Sequence, residues 1–132
     1  MDTTIARDEN CFCCGRHNER GLHLTFSYPD EVSSETQLEI PGYFSGWKKT
    51  VHGGLLAMLL DEAMAHACIR MERSAVTAEM TVRYLKPASL GERITVKGRV
   101  TQTRARVLET EGWIYGQNGG LLAQAKARYL SM

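Results

Sequence analysis

A chain of 132 residues with 16 Lys+Arg against 15 Asp+Glu has the length of one domain and enough material for a buried core. Its 43% hydrophobic and 23% charged residues fit an ordinary globular domain and exclude disordered, collagen-like and disulfide-dense scaffolds. A net charge of +1 provides no overall drive toward nucleic acid or an anionic membrane, so neither is expected as a partner.

Met1 to Asn10 include Asp2, Arg7, Asp8 and Glu9 and lack the apolar core of a secretory signal. The longest apolar stretch, Leu55 to Ile69, is interrupted by Asp61, Glu62 and His66 and falls short of the roughly 20 apolar residues of a bilayer span. A cytoplasmic location is expected. Of the 4 cysteines, Cys11, Cys13 and Cys14 cluster near the start while Cys68 stands apart, which suits reduced thiols or a metal site better than a disulfide framework. No repeat or Pro/Gly/Ser-rich linker divides the sequence, so residues 1–132 are expected to form a single domain opened by an N-terminal arm over 1–21.

Leu22, Leu24, Phe26 and Tyr28 alternate with polar residues, and Ser34 to Ile40 alternates again with Leu38 and Ile40 inward. This predicts two strands joined at Pro29-Asp30. Gly42 to Thr50 is a loop by composition, and Gly53 to Met71 is nearly all helix formers. That helix is apolar on almost every side, so other structure must enclose it. Ala75 to Leu85, Ile94 to Thr101, Val107 to Tyr115 and Leu121 to Leu130 predict four further strands, with a hairpin loop at Gly116 to Gly120. The sum is an α+β arrangement with a curved antiparallel sheet around a long central helix. Its free edge is expected to pair with a second subunit.

Val51-His52-Gly53-Gly54 stands where the buried helix opens, and glycines there let a ligand approach backbone amides suited to a polarised carbonyl. The same glycines would also serve a tight loop-to-helix turn. Asp61 falls mid-helix among apolar residues, where a carboxylate is costly unless paired or functional. Glu62 is adjacent and, at about 100° per residue, points elsewhere, so one acid is expected in a cleft and the other in solvent or an ion pair.

His52-Gly53-Gly54, Asp61, the run Ala75 to Leu85 ending in Lys86-Pro87, and the N-terminal Cys11-Phe12-Cys13-Cys14-Gly15 with Asn18 and Gly21-Leu22 together resemble the hot-dog-fold acyl-CoA thioesterases of the phenylacetate-pathway (PaaI) type. The resemblance implies hydrolysis of an acyl-CoA thioester. Asp61 then matches the acid that activates water or attacks the carbonyl, Gly53 the glycine whose N–H polarises that carbonyl, and Thr77 the hydroxyl that helps hold the water. It also implies that acid and glycine come from opposite subunits, with a homodimer as the minimum unit and a homotetramer expected. No cofactor is implied beyond the coenzyme A of the substrate.

By alternation Thr77 lies on the face of its strand away from its own core, opposite Val76, Ala78, Met80 and Val82. His52 and Gly54 are candidates for contacting the substrate. Trp47 is a candidate for walling the acyl pocket or stacking on adenine, against simple packing at an interface. Arg83 and Lys86, with Arg104 and Arg106, are candidates for the CoA phosphates. The sequence departs from the resemblance at Gly46-Trp47-Lys48-Lys49, where many relatives carry Asn or Gln before the histidine. That departure keeps a non-catalytic acyl-CoA-binding protein as the alternative, with a hydroxyacyl-thioester dehydratase behind it. Cys11, Cys13 and Cys14 with His17 and His23 invite a zinc reading, but no second Cys-x-x-Cys or His pair supports it. No metal is expected, and the arm is expected to act as a lid.

Overall fold

The computed structural model describes residues 9–132, so the first eight residues of the expected arm lie outside the described residues. The elements are β1 (Ser33–Glu39), α1 (Gly53–Arg70), β2 (Ala75–Tyr84), β3 (Arg93–Arg104), β4 (Val107–Tyr115) and β5 (Leu121–Ser131). They form a five-stranded antiparallel sheet in the order β1-β3-β4-β5-β2, with α1 packed on one face. No described helix is long and apolar enough to cross a membrane.

The helix follows from its composition and its ends. His52 caps it in extended conformation, and after Met71 the chain turns through Glu72 in the left-handed region, with Arg73 N–H returning to Cys68 O. Leu59, Leu60, Ala63 and Met64 are buried against Ile94, Val96, Leu108 and Ile114. Close approach is made possible by the cross-strand pair Gly98 and Gly112. A Cβ at Gly98 would overlap the Ala63 carbonyl, and one at Gly112 would sit 3.2 Å from both Leu60 Cδ2 and Met64 Cγ. Ser34 Oγ donates to that same Ala63 carbonyl at 2.5 Å, joining β1 to the helix.

Two expectations are corrected. Leu22 to Tyr28 forms no strand: Leu22 and Leu24 donate their amides to Phe12 O and Cys13 O in the arm, and His23 adopts φ 51°. The alternation marks real one-sided burial of Leu24, yet the segment's only ladder contact is the isolated bridge of Ser27 with Glu35. Thr77 does not face away from its own core. A bulge between Thr77 and Glu79 inserts a residue against β5, and a one-residue slip reverses the faces of the strand. Thr77 therefore shares the helix-facing side with Met80, Val82 and Tyr84.

Candidate active site

The helix opening is built by a loop pinned at both ends. Val51 N–H donates to Ala88 O and His52 N–H to Phe44 O, each at 2.9 Å, and Lys49 supplies a left-handed turn at φ 62°. His52 Nδ1 then accepts from Gly54 N–H at 2.9 Å, so this ring nitrogen is unprotonated and the imidazole proton sits on Nε2. Leu55 N–H is taken by His52 O at 3.0 Å. Of the first three helical amides, Gly53 N–H is the one left without an acceptor among the described residues. Tyr84 O–H donates to Gly53 O at 2.9 Å, tying β2 to this turn. Ser45, Gly46, Trp47, Val51, His52 and Gly53 line a groove of about 470 Å³ at the same point. Trp47 stands 88% exposed on its rim, so within one protomer it packs against little.

Two turns further, two hydroxyls converge on Asp61. Thr77 Oγ1 and the Tyr129 O–H both donate to Asp61 Oδ1 at 2.6 Å, and the Tyr129 O–H also reaches Asp61 O at 2.8 Å. Oδ2 has no partner among the described residues and, as the half-buried Asp61 has no buried unsatisfied oxygen, it reaches solvent. Burial first, then the charge of Asp61, pushes the Tyr129 hydroxyl well above the ordinary tyrosine range. Tyr129 is thus a fixed donor, and the carboxylate is aimed with one oxygen held and one open. Sequence reading missed Tyr129; its signal was the inward alternation Ala123, Ala125, Ala127, Tyr129 on the last strand, without the pairing of Tyr129 with Thr77 that completes it.

Glu62 takes the other fate expected for the acid pair. It pairs with His66 Nε2 at 3.2 Å, while Tyr28 O–H meets His66 Nδ1 at 3.0 Å and Phe26 stacks on the ring at 3.9 Å. Burial alone would raise Glu62, but hydrogen bonds from His66 and Cys14 and the charge of His66 hold it below the usual carboxylate value. Both His66 nitrogens are engaged, Nδ1 with Tyr28 and Nε2 with Glu62.

Asp61, Thr77 and Tyr129 come together, as do Trp47, His52, Gly53 and Gly54. The two groups are separate within a protomer: eight helical residues place Asp61 about 12 Å along the axis from Gly53. Arg83 falls on the opposite face of β2, lining a depression with Thr81 and Lys126, and Lys86 is exposed beyond the strand.

The sequence profile of the thioesterase superfamily matches residues 48–123, more than half of the chain. The chain belongs to the thioesterase superfamily. Human acyl-coenzyme A thioesterase 13 is 42% identical over 53 residues, which are 39% of this chain and 38% of that protein. The matched segment therefore spans well under half the length of that curated relative.

This superfamily member also shares its fold with solved structures. The E. coli PaaI protein from the phenylacetic acid degradation operon superposes with a TM-score of 0.79 at 22% identity, covering 84% of this chain and 80% of that one. Streptococcus mutans smu.793, solved bound to acetyl CoA, gives 0.79 at 19% identity over 88% and 94% of the two chains. The five strands and single long helix are those of the hot-dog fold.

Proposed function

We propose that this protein hydrolyses an acyl-CoA thioester to the free acid and CoA, and the observation that carries the proposal is the Asp61 carboxylate, held at Oδ1 by two hydroxyls and open at Oδ2. A carboxylate aimed in this way is a general base for water or a nucleophile toward a thioester, which is already an activated acyl donor. Gly53 N–H is the donor that polarises the thioester oxygen as it gains charge, helped by the helix dipole. Thr77 orients the carboxylate and then the attacking water. Water supplies the hydroxyl of the acid, and its proton leaves with the CoA thiol.

Because Asp61 and Gly53 lie about 12 Å apart along one helix, one carbonyl meets both only across two copies of the chain. The exposed edge strand β2, carrying Thr77 and Tyr84, supports pairing there, with a homodimer as the working unit and a homotetramer as a pair of dimers. In this reading His52 Nε2–H, Gly54 and Trp47 contact the substrate at the groove, and Arg83 and Lys86 answer the CoA phosphates. Residues 1–132 act as one catalytic unit whose arm, 1–21, is a lid; contact between Cys11 and Glu62, next to Asp61, supports that placement. Four free thiols suit a reducing cytoplasm.

The test is CoA release by the purified protein over short, long and aromatic acyl-CoAs beside Asp61→Asn. Turnover falling at least about a hundredfold in the variant is expected. Undiminished turnover in Asp61→Asn overturns the mechanism. Acyl-CoA binding without release by the native chain favours the non-catalytic reading, which the bare backbone of Gly46 supports.

A further inference from the structure

The zinc reading of the sequence looked to His17 and His23 and failed for want of a second ligand pair. Both histidines are exposed, and His23 Nε2 is engaged with Asn18 O at 2.6 Å. The third donor comes from the helix instead. Cys11 Sγ, Cys14 Sγ and a Glu62 carboxylate oxygen lie within 4.8 Å of one another, all half-buried.

We propose that Cys11, Cys14 and Glu62 form a zinc site that fastens the N-terminal arm to α1 beside Asp61. The spacing is that of a Cys-x-x-Cys knuckle, in which a tight turn brings two sulfurs to one ion. The turn is closed by Gly15 N–H donating to Cys11 O at 2.9 Å, and the backbone of Glu9 and Cys11 fills the place a Cβ of residue 15 would need. One edge of the cluster, Cys11 to Glu62, matches a tetrahedral ion. Bonds of about 2.3 Å to sulfur and 2.1 Å to oxygen set the S···O edge at roughly 3.6 Å. Cys11 Sγ stands 3.7 Å from Glu62 Oε1.

The surroundings are those of a ligating carboxylate. His66 Nε2 on Glu62 Oε1, itself fixed by Tyr28 and Phe26, is the outer partner that orients a metal ligand. Two thiolates and one carboxylate select a borderline-soft divalent ion over magnesium or calcium, and the fourth position is left for water. Cys13, between the two ligands, is 4% exposed and also contacts Glu62, but it lies outside the set of three mutually close donors.

The full chain, stripped with a chelator under reducing conditions, is titrated with Zn²⁺ against a chromogenic chelator, and with Co²⁺ by absorbance. Uptake of about one tight equivalent per chain is expected, with a thiolate-to-cobalt charge-transfer band. Cys11→Ser and Cys14→Ser lose the band, Glu62→Gln weakens uptake about tenfold or more, and Cys68→Ala changes neither. The cobalt spectrum of the unmutated protein decides the matter even if a cysteine variant fails to fold. No stoichiometric uptake, cobalt bound without a thiolate band, or uptake undiminished in both serine variants overturns the site.

Discussion

The Tyr129 hydroxyl lies 2.6 Å from Asp61 Oδ1 and 2.8 Å from Asp61 O, so one buried phenol holds both the side chain and the backbone of the acid. Tyr129→Phe removes this donor while keeping the ring in the core. The expected outcome is a loss of about 1–3 kcal/mol of stability in urea unfolding, together with a fall in kcat larger than any change in KM. Thr77→Val removes the second donor from an exposed position, so kcat falls with little change in stability, and Thr77→Ser restores it.

His52 has two separable tasks. Its Nδ1 caps the helix through Gly54 N–H, and its Nε2–H has no partner among the described residues. His52→Ala is expected to cost about 1 kcal/mol in thermal unfolding. His52→Asn retains a capping oxygen and returns that stability while CoA release stays impaired. Full recovery of both in the Asn variant would assign His52 to the cap alone.

Gly98→Ala drives a methyl into the Ala63 carbonyl, which cannot yield because the helix backbone carries it. A destabilisation of about 3 kcal/mol or failure to accumulate as soluble protein is expected, with the urea midpoint as the measure. Gly42→Ala, where a Cβ meets nothing within 4 Å, is the matched control and leaves the midpoint unchanged.

Alkaline stability carries a signature of the core. Burial pushes the Cys68 thiol from the usual 9.0 up to about 12, against the opposing charge of Arg73, and pushes the Tyr129 hydroxyl up as well. Each folded group keeps its proton to higher pH than in the unfolded chain. The resulting stability is present in full below pH 9.0 for Cys68 and is lost as pH rises toward 12. Cys68→Ala is therefore expected to flatten the fall of the urea midpoint over that range; an unaltered slope would refute the assignment.

Elements with one dominant periodicity were readable from sequence. The strands after the helix fall within a few residues of where alternation put them, whereas the helix, apolar on almost every side, was placed by its run of helix formers after His52. Leu22 to Tyr28 misled because alternation reports burial and not which backbone answers the amides; here the answer came from Phe12 and Cys13 in the arm. Thr77 misled because a bulge has no fixed sequence mark, yet one extra residue reverses every face on one side of it. Asp61 was legible as a carboxylate in an apolar helix. Tyr129 and the Cys11, Cys14 and Glu62 cluster were not, since both depend on contacts between residues far apart in sequence.

The most direct test of the account is complementation between two inactive variants. Asp61→Asn removes the acid. Gly53→Pro removes the amide N–H and adds a ring whose Cβ meets the Tyr84 ring at 3.5 Å, an ordinary contact; proline is tolerated at the first helical position, and His52, at φ −60° and ψ 130°, already has the conformation that precedes it. Each variant alone is expected to be inactive. Unfolded and refolded together in equal amounts, they should recover about a quarter of native CoA release, since half the dimers then carry one intact site of two. A mixture no more active than its separate components would contradict a site shared between subunits.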